Sequence, residues 1–242
     1  MVDSVFHNLT RRDALRLSLI AGLGAAGIGC STSEADRRRE AFKNREPLPD
    51  PHQPMAPSPT YAERYPAPTA DPWTGKVIPR SSWTNEPPIT RLADPMRGVS
   101  RITIHHDGMS PFYDTDQASA EHRIELIRRS HLGRGWADIG YHYVVDPAGR
   151  IYSARPIALQ GAHVKYNNEH NLGVMVLGNY ESQQLTPAAR SALASFVASR
   201  MDVYEVQTKR VLTHQEIRPT ACPGRSLQDF MIQTRRHGGA LA

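Results

Sequence analysis

The chain is poor in several features that would classify it at once. It has two cysteines, Cys30 and Cys222, in 242 residues, so no multi-disulfide framework is available. Each sits in a context that suggests a separate role, which disfavours a bond between them. Long apolar runs are also missing. Leu17 to Gly29, thirteen residues with one serine, is too short to span a bilayer. Aromatics make up 7%, and no stripe of Lys/Arg interleaved with aromatics occurs, so a nucleic-acid partner is not expected. No internal repeat is visible. The net charge of +5 is modest. Arg11, Arg12 and Arg16 are largely offset by Asp3 and Asp13, so the basic balance belongs to the rest of the chain as well and favours anionic surfaces. The length suits one good-sized domain with additions.

What the chain does contain is unevenly distributed. Thr10-Arg11-Arg12-Asp13-Ala14-Leu15 is a basic opening with a twin arginine, followed by the short apolar run. This is the pattern of a secretory signal, and the arginine pair suggests the Tat route. Gly27-Ile28-Gly29-Cys30 closes the segment like a lipobox, making Cys30 a candidate for lipidation, although Gly27 stands where leucine is usual. Plain signal cleavage or an uncleaved anchor are the alternatives. Residues 31–76 then form a linker. A charged run, Glu34 to Glu40, precedes nine prolines between Pro47 and Pro72. With few apolar residues, such a stretch cannot bury enough surface to offset its ordering entropy, and an extended tether is expected.

From residue 77 the composition changes to that of a folded domain, 77–242. Arg101-Ile102-Thr103-Ile104-His105-His106 alternates and is β-branched, predicting a strand. Ala118, Ile124, Ile127 and His131 recur at helical spacing over 116–131. Tyr141–Val145 and Gly149–Ser153 flank a turn and read as a hairpin. Leu172 to Leu177 is apolar throughout, as in a strand buried on both faces. Thr186-Pro187 predicts a helix start, followed by an apolar stripe of Leu193, Phe196, Val197, Met201 and Tyr204. Val211–Thr213 reads as a further strand and Leu227–Arg235 as a closing helix. Strands alternating with helices imply an α/β fold, with a central mixed sheet flanked by helices.

Two places carry chemistry. His214 and Cys222 bracket a short proline-bounded loop, His214-Gln215-Glu216-Ile217-Arg218-Pro219-Thr220-Ala221-Cys222. About a hundred residues earlier a predicted strand ends in His105-His106. Two imidazoles and a thiolate are a sufficient protein shell for Zn²⁺ with one position open, and such a centre activates water near neutral pH. By period-two alternation only one of His105 and His106 can face a site, and spacing does not choose between them. On local pattern alone, Cys222 could equally be a small buried hydrophobe, and Tyr141 a packed strand residue. No Asp or Glu in these motifs is an obvious general base.

Several segments, in order, resemble the type 2 N-acetylmuramoyl-L-alanine amidases and peptidoglycan recognition proteins. They are Pro79-Arg80-Ser81-Ser82-Trp83, Ile104-His105-His106, Asp138-Ile139-Gly140-Tyr141-His142, Gly161-Ala162-His163 with Tyr166-Asn167 and Leu172-Gly173-Val174, and His214 through Gly224. The resemblance implies a zinc ion held by His105, His214 and Cys222. It implies hydrolysis of the amide between N-acetylmuramic acid and L-alanine, with Tyr141 and Thr220 as catalytic residues. His163, Tyr166 and Asn167 would line the substrate groove, and His106 would pack or support. Peptidoglycan or muropeptides become the expected partner, a monomer the expected state, and an exported, cell-envelope location the expected compartment. A receptor without turnover and a cysteine hydrolase using Cys222 are the competing readings. Thr220 stands where the phage branch has lysine, Asn171 where serine is usual, and residues 107–115 lack the cysteines of vertebrate members.

Overall fold

Two apolar runs set the sheet. The computed structural model describes residues 75–242; the readings of the signal, Cys30 and nearly all of the linker fall outside the described residues. Strand β2, Arg101–His106, is buried at its last five positions. Strand β5, Asn171–Val176, is buried at all six. They pair in parallel, Arg101 opposite Asn171 and His106 opposite Val176. Strands covered on both faces need side chains that tolerate burial on both, which is why these two read as near-continuous apolar runs.

Around this pair lie β1 (Val77–Ile78), β3 (Tyr143–Val145), β4 (Ile151–Ser153) and β6 (Val211–Thr213). The sheet order is β1-β4-β3-β5-β2-β6. Within it only the β3–β4 hairpin is antiparallel; every other neighbour is parallel. The sheet is therefore mixed, as expected. Asp146 organises the hairpin turn, accepting the Arg150 N–H at 2.8 Å and the buried Tyr152 hydroxyl at 3.0 Å.

Four helices among the described residues follow from local signals. Helix α1, Gln117–Gly133, is capped by Asp116, which accepts the Ser119 N–H. Helix α2, Pro187–Tyr204, begins as its sequence suggests, with the Thr186 side chain accepting the Ala189 N–H and proline in the first turn. Helix α3 is the single turn His214–Ile217, and α4 runs Arg225–Arg235. Leu193, Phe196 and Val197 of α2, with Leu227 and Met231 of α4, cover Ile102, Ile104 and Val174 on one face of the sheet. Ala120, Ile124 and Ile127 of α1 cluster with Val144, Tyr152 and Met175 on the other. Each fully buried side chain of this size contributes about 1.5–3 kcal/mol, so this three-layer core fixes the strand register. Even-numbered residues of β2 face α2 and α4; Thr103 and His105 face the α1 side.

Two boundaries beside the site differ from the sequence reading. Strand β3 starts at Tyr143, because the Gly140 carbonyl accepts the Ala162 N–H at 3.0 Å and turns the chain out of the ladder before Tyr141. The Tyr141 and His142 carbonyls still accept the Arg155 and Ala154 N–H groups at 2.9 and 2.8 Å. The strand reading Val211–Thr213 holds, and His214 directly after it opens α3, where the sequence reads as a loop. Thr213-His214-Gln215-Glu216 is a Thr-x-x-Glu capping pattern, and the Glu216 carboxylate accepts the Thr213 N–H at 2.8 Å.

Candidate metal centre

His105 is carried to the C-terminal end of β2 and is completely buried. Its Nε2 lies 3.0 Å from His163 Nδ1, and its Nδ1 lies 3.5 Å from Cys222 Sγ. His163 Nε2 in turn lies 3.1 Å from the Asn171 carbonyl oxygen. A carbonyl only accepts, so the His163 proton is on Nε2 and its Nδ1 is an acceptor. His105 Nε2 then donates to His163, which leaves the lone pair of His105 Nδ1 directed to the thiol side. One chain of hydrogen bonds thus sets the tautomer of a candidate metal-binding imidazole.

The end of that chain is itself fixed. The Thr103 hydroxyl donates to Asn171 Oδ1 at 2.7 Å, and Asn171 Nδ2 donates to the Asn167 carbonyl at 2.7 Å. This gives the asparagine at 171 a structural reason. Space for the His163 ring comes from Gly173: a Cβ there would lie 2.6 Å from His163 Cδ2. The neighbouring His106 turns to the opposite face, where its Nδ1 accepts the Tyr180 N–H at 3.2 Å.

His214 and Cys222 arrive on the loop after β6. Glu216, two residues beyond His214, accepts from Arg235 Nη2 at 2.6 Å and from Gln228 Nε2 at 2.9 Å, so α4 pins the first turn of α3. The Cys222 N–H donates to Thr220 Oγ1 at 3.2 Å, and the Gln215 N–H donates to the Cys222 carbonyl at 2.9 Å. The Cys222–Pro223 peptide is cis. Gly224 follows at φ 86°, and a Cβ there would lie 2.5 Å from the Glu181 nitrogen. Only glycine lets this loop approach so closely.

The ligand atoms of His105, His214 and Cys222 all lie within 4.8 Å of one another. Zinc–nitrogen and zinc–sulfur bonds of about 2.05 and 2.3 Å give a tetrahedral N···S edge of about 3.5 Å. The His105–Cys222 separation already has that length. Burial holds His105 well below the usual imidazole range, helped by the neighbouring His163, His214 and His106. Burial also lowers His214, with Arg218 and His106 adding to it. Both imidazoles are thus available as neutral ligands. Burial pushes the Cys222 thiol up to about 12, so on its own it is a poor nucleophile. A divalent cation reverses this, because coordination deprotonates a thiol. The residues present fit Zn²⁺.

Tyr141 stands over the cluster, its ring centroid 5.1 Å from that of His105. Burial raises its phenol above the usual range, with Cys222 and Asp107 adding to the effect, so it stays neutral and able to donate. A groove of about 630 Å³ opens here, lined by Trp136, His163, Tyr166, Asn168, His214 and Thr220, with Lys165, Arg218, Ala162 and Pro219 completing its wall. Tyr166 is 83% exposed at φ 66° on the groove rim. Both nitrogens of His163 are engaged, so its ring borders the groove with no free donor for a substrate. Asn167 does not line the groove; Asn168 does. Asn168 Oδ1 accepts the His163 and Val164 N–H groups at 2.9 and 2.7 Å, an asparagine-built turn. The paired asparagines were the available signal for it. His131 reads from the sequence as a solvated or helix-face residue. It is buried, accepts the Gly140 N–H at 3.0 Å, and lies 4.4 Å from the Trp136 ring.

A mixed sheet with an imidazole at the end of β2, met by an imidazole and a thiol from the segment after β6, defines an α/β domain with a candidate metal-dependent centre. The family model described as N-acetylmuramoyl-L-alanine amidase matches residues 95–225, and the chain belongs to that family. It is 32% identical over 158 residues to a peptidoglycan-recognition protein of Drosophila simulans, covering 63% of this chain and 84% of that one. It is 31% identical over 110 residues to the endolysin of Escherichia phage T7, covering 43% of this chain and 72% of the endolysin. Among solved structures, peptidoglycan recognition protein-LE in complex with tracheal cytotoxin, a monomeric diaminopimelic acid-type peptidoglycan, is 28% identical. It superposes with a TM-score of 0.59, covering 66% of this chain and 94% of the other.

Proposed function

We propose that the protein is a zinc-dependent N-acetylmuramoyl-L-alanine amidase, cleaving the amide between the lactyl group of N-acetylmuramic acid and L-alanine. The observation that carries this reading is the convergence of His105, His214 and Cys222, with Tyr141 over His105, at the base of a groove that His214 and Thr220 line. Family membership supports it, as do relatives named for lysis and for peptidoglycan recognition. Zn²⁺ held by the three ligands would supply a Lewis acid for the scissile carbonyl and lower the pKa of water to about 7.

The chain's own residues do the rest. Tyr141 donates its phenolic proton as a hydrogen bond to the oxygen that gains charge. Thr220 Oγ1 accepts the Cys222 N–H, which leaves its hydroxyl proton free for the same oxygen. His163 holds the His105 tautomer without exchanging protons with the substrate. Trp136 and Tyr166 supply flat surfaces along the groove. Export through residues 1–30, with Cys30 as a lipid attachment point, would bring the domain to its polymer.

Two other readings are weighed against this one. The names of the similar recognition proteins favour a receptor that binds without turnover; against it, all three ligand positions are filled here. A cysteine hydrolase is opposed by a thiol held at about 12 beside imidazoles that burial keeps neutral. The test is to incubate defined muropeptides with zinc-loaded and chelator-treated protein and weigh the products. Release of a peptide beginning with L-alanine, only by the metal-loaded form, is expected. Binding without release would establish the receptor, and chelator-resistant, alkylator-sensitive release the thiol enzyme.

A further inference from the structure

Two cations in the groove lack an anion. Lys165 Nζ lies 5.1 Å from the centroid of the Tyr166 ring, and the Arg218 guanidinium lies 5.6 Å from the same centroid. Arg218 Nη1 donates to the Lys165 carbonyl at 2.9 Å, which ties the two together across 53 positions of sequence. That bond uses one of the five N–H donors of a guanidinium. Among the described residues neither cation forms an ion pair. The acid on the same loop, Glu169, faces His170 at 3.4 Å instead. Two like charges gathered at one exposed ring repel each other, and the aromatic face offsets this only in part, at about 0.5–1 kcal/mol for an exposed cation. The pair offers an anion its unused N–H donors.

We infer that Lys165 and Arg218, seated on Tyr166, form a carboxylate clamp that recognises the free α-carboxylate of the second stem residue of a muropeptide. The inference rests on the amidase reading for the position of the scissile bond. Arg218 sits one helical turn from His214, its N–H donating to the His214 carbonyl at 3.0 Å, and a turn advances about 5.4 Å. The stem runs from N-acetylmuramic acid through L-alanine to D-glutamate. That glutamate is joined through its γ-carboxyl, so its α-carboxyl is free or amidated. At about 3.5 Å per extended residue, this carboxyl lies roughly 5–7 Å from the amide to be cut. Lys165 and Arg218 line the same groove as His214, which puts the clamp on the path of a stem whose scissile bond lies at the metal ligands. A planar guanidinium offers paired donors to a carboxylate. Amidation removes the charge and introduces N–H groups that face other donors, so the clamp discriminates between the two stems.

The test uses the full-length protein and two synthetic ligands, N-acetylmuramoyl-L-alanyl-D-glutamate and its α-amide, both with the γ-carboxyl capped as a methylamide. Dissociation constants are measured by calorimetry with the metal-free protein, which under the amidase reading binds without cutting, and kcat and KM are measured separately with zinc. The acid is expected to bind roughly 10–100-fold more tightly than the amide, the range of a hydrogen bond to a charged partner, with the difference in KM and not in kcat. Arg218→Gln should bring the ratio close to one, Lys165→Gln should reduce it in part, and Arg218→Lys should restore part of it. Both positions are at the surface or half-buried, and unchanged thermal unfolding confirms that the variants fold. Equal binding of acid and amide by the wild type overturns the clamp, as does a preference that survives in Arg218→Gln. So does a preference appearing only with a third stem residue that carries its own carboxylate. Because binding is read apart from turnover, a protein that binds with the expected ratio but cleaves neither ligand refutes the amidase reading and leaves the clamp standing.

Discussion

His105 and the loop bearing His214 and Cys222 meet at one point but are held there by different forces. His105 is placed by strand register: a six-residue parallel pairing with β5, buried on both faces, and a line of neutral hydrogen bonds through His163 to Asn171. The loop has no ladder. It is held by charge, through Glu216, Arg235 and Gln228, and by the close approach of Gly224 to the Tyr180–Glu181 backbone. Burial pushes the Glu216 carboxyl up, yet Arg235, the Thr213 N–H and Gln228 together hold it below the usual range. The strand side is held by neutral hydrogen bonds, the loop side by charge.

The two sides should respond differently to substitution. The largest effect is expected for Cys222→Ser and His105→Ala. Each removes a ligand, so the loss of zinc affinity should exceed the ~10–100-fold that supporting residues typically cost. Zinc retained after dialysis, read by elemental analysis, checks this. Next comes His163→Ala, which leaves His105 Nε2 without its acceptor. Zinc affinity and activity are expected to fall about 10–100-fold with the fold intact, as read by metal-buffer titration and thermal unfolding of the metal-free protein. Glu216→Gln should act in the opposite sense. It leaves Arg235 with a weaker partner and should cost stability, about 1–2 kcal/mol, lowering Tm by roughly 3–6 °C, while zinc affinity changes by less than tenfold. If Glu216→Gln abolished zinc binding at unchanged Tm, the contrast between the two sides would be wrong.

The most gradual effect is that of pH. Burial lowers His142 and His131 to about 4, with Arg155 acting on both and Arg134 also on His131. Each uses Nδ1 to accept a backbone N–H, from Gly173 at 2.9 Å and from Gly140 at 3.0 Å, and protonation would set donor against donor. The unfolded chain, with histidines near 6.5, binds more protons than the folded one between about 4 and 6.5. Stability is therefore fully present above pH 6.5 and is lost as pH falls toward 4, at up to about 3 kcal/mol per histidine. Chemical denaturation of the metal-free protein at stepped pH should show this slope, to which the lowered His105, His106, His163 and His214 also contribute, and His142→Gln should flatten it in part. A slope unchanged in that variant would remove His142 from the explanation.

The strands nearest the centre were legible because burial on both faces leaves a plain mark, as in Leu172 to Leu177 and the alternation before His105. The Thr186-Pro187 start was legible because capping is local. The two-residue β1 was not, since nothing in Val77-Ile78 distinguishes it from a loop; its pairing with β4 is tertiary. The donor types of the centre could be read in His105-His106, His214 and Cys222. The choice between the adjacent histidines could not, because it depends on which face of β2 meets α1. The supports were silent for the same reason: His163 to Asn171 and Glu216 to Arg235 are contacts between segments with no shared pattern. Lys165 and Arg218 looked like ordinary loop cations until the fold set both beside one ring.

The most direct measurement is a Co²⁺ titration of the metal-free full-length protein followed by absorption spectroscopy, with Cys222→Ser in parallel. Saturation at one equivalent is expected, with intense visible bands of a tetrahedral ion and a near-ultraviolet sulfur-to-cobalt charge-transfer band that Cys222→Ser abolishes. A spectrum without that band in the wild type, or the same spectrum in both proteins, would contradict a shared ion held by His105, His214 and Cys222.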